Sequence, residues 1–348
     1  MSLPPKHPRR GFTLTELLVV IAIIAILASL GTVAVMRALS TARAAAIKVE
    51  LDQIDAAMKR YKETYGSYPP CDLSFDQPDP AIKARKLATI RQHIAMAFPR
   101  YDVSNLEADL RLTGLDLKNF RPDQALYFFL RGFSPNPQFP FFDPLNRQIE
   151  KGIIPATPTI VKVTPFFDFD TARLGAVDGT GADQPITTHM ASYFPPRSPL
   201  GTTGAPYLYW DYRAYGEQLP VPVGESRQPD PTLPGFYFNS TDTRKGSPGL
   251  AGGTKALFST AGIATPYMHD KNGNSAYDPT LDEWVNPDTY QLIAPGNDRK
   301  FGSINVPASD PQSRRLYPTG INYDLETLAD DDNATNCSSA ARLGDDIP

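Results

Sequence analysis

Between Leu17 and Met36 the chain reads LLVVIAIIAILASLGTVAVM, twenty residues without a charge or a proline. Wound as a helix, such a run covers roughly 30 Å, the thickness of a bilayer core. Lys6, Arg9 and Arg10 precede it. Cationic residues gather on the cytoplasmic side of a membrane segment, so the N-terminus is expected inside and everything after Met36 outside. A cleaved secretory signal would have an apolar region of about 7 to 15 residues and a small-residue cleavage site. TVA at 32–34 offers such a site, but the run is longer than that and continues in helical pattern with no breaker. A plain membrane anchor explains length and flanks and is indifferent to Glu16. An acid costs on the order of 3 kcal/mol at mid-bilayer and less near the headgroups.

The remainder of the 348 residues divides by proline. There are 35 prolines, none between Pro8 and Pro69, so a helix-permissive region precedes one hostile to long helices. In the first region Ile47, Leu51, Ile54, Met58, Tyr61 and Tyr65 recur at alternating spacings of four and three, one apolar seam on a helix. Lys48, Asp52, Asp55, Lys59, Lys62 and Glu63 lie opposite, and Asp55 precedes Lys59 by four residues in the favourable order. A seam that packs on its own domain is the preferred reading over a stripe for a partner. Gly66 and Pro69-Pro70 should stop the helix. A single helix from about Thr13 to Tyr65 would be roughly 80 Å long.

The stretch RGFTLTE, 10–16, followed by the long apolar helix, resembles the type IV prepilin class of N-terminus. The resemblance implies that a membrane prepilin peptidase/methyltransferase cuts between Gly11 and Phe12 and N-methylates Phe12, while the apolar helix is retained. It also implies a role for Glu16 in assembly, as the partner of the methylated Phe12 amine of a neighbouring subunit. A buried carboxylate or ammonium is heavily penalised alone, and pairing satisfies both. The amine of its own chain is one helical turn away, so both partners stand open. YKETYGSYPP, 61–70, is similar to the major pseudopilin of type II secretion systems. That family often carries a proline where this chain has Gly31, Thr32 and Val33.

Beyond Pro70 the pattern predicts a helix over 80–98 opening on Pro80, and a second over 121–132 stopped by Gly132. Short strands are expected at TPTIVKV and TPFFDFDT (157–171), APYLYWDYRAY (205–215), ATPYMH (264–269) and DTYQLIA (288–294). Residues 192–253 are so dense in Pro, Gly, Ser and Thr that much of the stretch should be irregular. WVNPDTYQLIAPGNDRKFG, 284–302, and DDDN, 330–333, resemble the closing loops of the major pseudopilins, which meet at calcium. By that resemblance Asp298, Asp331 and Asp332 would supply the hard oxygen ligands Ca2+ needs, and solvated Asx turns are the alternative. DKNGNSAYD, 270–278, is like the start of a calcium loop but lacks the closing bidentate acid.

The expected fold class is therefore α+β and pilin-like: a long transmembrane and amphipathic N-terminal helix, then a loop-rich, mostly antiparallel β domain with short helices. The divisions are a cytoplasmic leader at 1–11, a transmembrane helix at 12–36 and its amphipathic continuation at 37–68. An extracytoplasmic globular domain with an enlarged Pro/Tyr-rich central insertion follows at 69–348. The implied function is that of a structural subunit of a type II secretion pseudopilus or type IV pilus-like filament in the inner membrane. The implied partners are copies of itself, other pseudopilins, the inner-membrane assembly platform and the cytoplasmic assembly ATPase. The alternative is a minor pilin acting as adhesin or DNA-uptake module. A net charge of -4 gives no basic footprint for nucleic acid. No catalytic motif is found: three histidines remain after the leader, with no His-Glu-x-x-His and no Gly-x-Ser-x-Gly, so no enzyme is expected. Cys71 and Cys337 both fall on the outward side, where a disulfide between them is permitted and two buried free thiols are the alternative.

Overall fold

The computed structural model describes residues 14–73, 75, 80–117, 122–177, 183–196, 205–215, 236–238, 262–264, 266–271, 273, 281–297, 299, 301, 316–319 and 332–346. The chain divides into two units, Met1–Arg43 and Ala44–Pro348. A single helix, α1 (Leu14–Tyr65), supplies the described part of the first unit and opens the second. It runs through Gly31 without interruption. It ends where the glycine and proline signals place its stop: Gly66 adopts φ +84° and its N–H returns to Lys62 O at 2.7 Å.

In the second unit the apolar seam faces inward. Ile47, Leu51, Ile54, Met58 and Tyr61 are buried, joined by Ala44 and Ala57 on the same face. Three shorter helices contribute to its cover: α2 (Pro80–Ala97), α3 (Leu106–Leu112) and α4 (Pro122–Leu130). Leu87, Ile90, Ile94, Leu110, Leu126 and Phe129 join the seam in one cluster. The seam is thus the spine of the chain's own core, as its regular spacing predicts. Gly132 ends the α4 segment at φ +89°, where a Cβ would collide with Thr164 O.

The strands are short: β1 (Leu174–Val177), β2 (Asp183–Gln184), β3 (Ser192–Tyr193), β4 (Leu208–Asp211), β5 (Phe236–Phe238), β6 (Gly262–Ala264), β7 (Met268–His269), β8 (Glu283–Trp284), β9 (Tyr290–Ala294), β10 (Leu316–Tyr317) and β11 (Ala334–Thr335). They form sheets in the orders β2-β1-β3, β10-β7-β8 and β11-β9-β4, and a β5-β6 pair. All pairings are antiparallel except β10 with β7. The fold is α+β with an N-terminal helix and mainly antiparallel sheets, which agrees with a pilin-like architecture. In the sheet centred on β9, Tyr209 pairs with Leu292 and Trp210 with Gln291. Every residue of β4 and β9 is buried, so this sheet is covered on both faces. Tyr290, Leu292 and Ala294, at alternate positions, join the cluster of the α1 seam.

Strands expected over 157–171 are absent. Only Ile160 forms an isolated bridge, to Arg147, and prolines at 158 and 165 each remove a ladder donor. Phe166 and Phe167 instead turn their N–H groups toward Leu130 O, and the Phe167 and Phe169 rings pack on Tyr193. β1 forms just after this stretch, where no strand pattern is readable.

His93 of α2 links the helix ends. Its Nε2 lies 2.9 Å from Tyr61 Oη and its Nδ1 2.9 Å from Ser67 Oγ. Burial, helped by the Arg213 charge, pushes its pKa down to about 3. A neutral His93 therefore adds stability that is whole above the unfolded imidazole value near 6.5 and is lost as pH falls toward 3. In urea unfolding between pH 7 and 3.5, wild type should lose stability more steeply than His93→Gln, which keeps a neutral polar side chain. Parallel pH profiles would show that the imidazole carries none of the acid sensitivity.

Candidate functional site

The N-terminal part of α1 has an unusual surface. Leu14 is 79% exposed, Leu27 64% and Met36 65%, and Leu17, Leu18, Val19, Ile21, Ile23, Ile24 and Ile26 are all exposed. The polar side chains inside the apolar run are turned back on the helix: Ser29 Oγ donates to Ile26 O and Thr32 Oγ1 to Ala28 O, each at 2.8 Å. Hydroxyls engaged in this way present little polarity outward. A helix apolar all round is stable only when covered. Among the described residues no helix is long and apolar enough to cross a membrane.

Glu16 sits in the first turn of α1 and is exposed. An acid there is favoured by the positive end of the helix dipole. Gly11 and Phe12 lie outside the described residues, so the scissile bond and the amine site belong to the sequence reading alone.

The loop after β9 and the segment leading into β11 come together. β11 pairs with the end of β9, Ala334 opposite Ala294, which brings Asp332 to the loop after β9. A Cβ on Gly296 would overlap the Asp332 carboxylate and carbonyl, so only glycine lets the two loops meet. Asp298 and Asp331 lie outside the described residues. Among those described, no group of three or more His, Cys, Asp or Glu side chains could hold a metal. Asp270 accepts from Gly273 N–H at 2.8 Å and from Thr319 Oγ1 at 3.0 Å, an Asx-type turn. Cys71 and Cys337 are not joined in a disulfide. Cys71 is in the core cluster, and Cys337 Sγ lies 2.8 Å from Thr335 Oγ1, its pKa pushed up to about 11 chiefly by burial.

Sequence reasoning missed the polar site that ties α1 to the β region. Glu50 takes a bidentate hydrogen bond from Arg173, whose Nη1 is 2.9 Å from Oε2 and whose Nη2 contacts Oε1. Tyr193 Oη donates to Oε1 at 2.8 Å and Tyr207 Oη to Oε2 at 2.5 Å. Arg173 also stacks over the Tyr193 ring, 4.4 Å from its centroid, and donates to Phe194 O at 3.1 Å. Burial, reinforced by the Glu50 charge, holds the Tyr207 hydroxyl well above its ordinary pKa, so it remains a donor. One turn and a half on, Asp55 accepts from Tyr290 Oη at 2.8 Å and Asn336 Nδ2 at 3.1 Å, and Lys48 Nζ reaches Thr335 O at 3.0 Å. The signal for Glu50 was present: it stands three residues after Ile47 and four before Ile54, an acid inside an apolar seam.

A family model described as the prokaryotic N-terminal methylation motif matches residues 6–32. The match supports a type IV pilin-like protein that is a substrate of prepilin peptidase and assembles into filaments. No curated protein and no solved structure matches the chain.

Removing one partner of a fully buried ion pair costs about 3 to 5 kcal/mol, and this partly buried, hydrogen-bonded pair should cost a lesser but substantial share of that. Glu50→Ala, which takes the shared acceptor from Tyr193 and Tyr207 and leaves Arg173 only Asp170 and the Phe194 carbonyl, should therefore lower the unfolding midpoint of the Ala44–Pro348 unit more than Asp52→Ala on the exposed face. Equal midpoints would deny Glu50 this anchoring role.

Proposed function

We propose that the chain is a structural subunit of a type II secretion pseudopilus or a related type IV pilus-like filament, and that its work is polymerisation rather than catalysis. The observation that carries this reading is the coincidence of the methylation motif at 6–32 with a helix whose large apolar side chains are exposed from Leu14 to Leu27. Lipid covers such a helix before assembly, and the same segments of other subunits cover it afterwards. Glu16 then matches the Phe12 amine within the helix bundle, where an unpaired charge is costly. The partners of this reading are the prepilin peptidase, other copies of the chain and other pseudopilins, with the assembly platform and its cytoplasmic ATPase acting on them. The N-terminus is cytoplasmic and the large domain extracytoplasmic. A minor subunit, displaying that domain at a tip as adhesin or DNA-uptake module, is separated by abundance: a major subunit dominates sheared filaments and a tip protein is scarce in them.

Two measurements test the proposal. Mass spectrometry of membrane-extracted protein should find a mature chain beginning at methylated Phe12, and Gly11→Ala should leave the chain uncut. A terminus near Ala34 would mark a secretory signal instead. Glu16→Leu makes membrane residence cheaper while removing the partner of the amine. Insertion and cleavage should persist and filament yield should collapse, whereas wild-type yield would reduce the carboxylate to a bystander.

A further inference from the structure

The second unit carries a cleft that the filament reading leaves unused. It encloses about 280 Å³ and is lined by the segment after α2, by Gln138 and Phe139, and by Lys151. Its floor is Tyr101, buried, whose Oη donates to Asp109 Oδ2 at 2.6 Å. Asp109, itself buried, also accepts from Gly152 N–H.

That second bond holds a two-residue hairpin turn. Glu150 and Ile153 exchange both backbone hydrogen bonds, at 2.9 and 3.2 Å, around Lys151 at φ +51° and Gly152 at φ +82°. These angles are those of a type I′ turn, whose first central position strongly prefers Asn, Asp or Gly. A lysine there is in the left-handed region, a conformation that a residue with a Cβ adopts only at a cost. Gly152 is the residue the second position demands, and a Cβ on it would strike Ala108. The strained residue is the one whose ammonium borders the cleft.

The charges of the cleft divide unequally. The carboxylates are engaged by the protein: Asp109 by Tyr101 and Gly152, and Asp102 by Ser104 N–H at 3.0 Å and Asn105 Nδ2 at 3.3 Å. Asp102 is held below the usual carboxylate range first by Ser104, with Lys151 contributing through its charge. Arg100 and Lys151 form no ion pair among the described residues. Both are exposed. Among the described residues the groups with no hydrogen bond or ion pair are thus the Arg100 and Lys151 cations, the latter attracted at longer range by Asp102, and the Gln138 amide, beside half-buried Phe139, an apolar platform.

We propose that this cleft binds a carboxylate carried on a small organic body with one apolar face. Arg100 and Lys151 take the carboxylate, Gln138 a neighbouring polar atom, and Phe139 the apolar face. The volume suits one sugar or amino-acid unit and is below that of a drug-sized ligand. An acidic sugar and an acidic amino acid share this chemistry.

The test is calorimetric or ligand-observed NMR titration of the full chain in detergent with glucuronate, glutamate and glucose. At least one acid should bind and glucose should not. Preference for glucuronate assigns a saccharide source, and preference for glutamate a peptide source. Lys151→Asn installs a favoured residue of the turn and removes the charge, so its unfolding midpoint should be held or raised while affinity for the acid falls about tenfold or more, the loss of one charge-assisted hydrogen bond. Arg100→Gln, an exposed replacement, should weaken binding similarly. Absence of binding by both acids at millimolar concentration, equal binding of glucose, or unchanged affinity in both variants would overturn the proposal.

Discussion

Glu50 sets a condition that the rest of the large unit has to meet. Its carboxylate is partly buried at the edge of the α1 seam, and a charge drawn that far out of water is costly without matched donors. Arg173, Tyr193 and Tyr207 provide them from three separate stretches of the chain. Because these donors must converge on one carboxylate, they fix where the segment after the 3-10 turn at 171–173, strand β3 and the approach to β4 lie along the helix. Asp55 and Lys48 repeat the device at the β9 and β11 edge. The apolar seam favours burial of α1 without specifying its partners' register. The polar contacts beside it are directional, and they do.

The two ends of α1 show the same secondary structure under opposite requirements. From Ala44 onward one face is apolar and the chain's own helices and sheet cover it. Before that, apolar side chains surround the helix and remain exposed. The first arrangement is complete within one chain. The second leaves apolar surface that the described part of the chain does not cover, which is why the proposed function rests on this segment. Ser29 and Thr32, bonded back to carbonyls of the preceding turn, suit the segment to either environment.

The large unit is held by aromatic and polar contacts more than by extensive sheet. Its strands are two to five residues long, too short to be stable without packing. Tyr61, Tyr65, Phe98, Phe129 and Phe133 form a continuous set of ring contacts beneath the end of α1. A scaffold of this kind can carry local strain such as that at Lys151, since its anchors are distributed among many side chains.

The sequence by itself determined what depends on local periodicity and on residue chemistry. The seam from Ile47 to Tyr61, the stop at Gly66, the helices near 80 and 122, strands β4 and β9, and the RGFTLTE signal that the methylation motif shares were all readable, because each is encoded within a few turns or a few residues. The meeting of the loop after β9 with Asp332 was anticipated only through a resemblance, and the ladder between β9 and β11 supplied its cause. Tertiary structure alone decided the rest. Strands were expected over 157–171 from β-branched and aromatic residues, yet packing of Phe167 and Phe169 on Tyr193 overrode that propensity. The partners of Glu50 lie more than a hundred residues away, and Cys71 and Cys337 are not joined in a disulfide. No local pattern records which distant side chains meet, because that choice is made when the whole core closes and every buried polar group must find its partner at once.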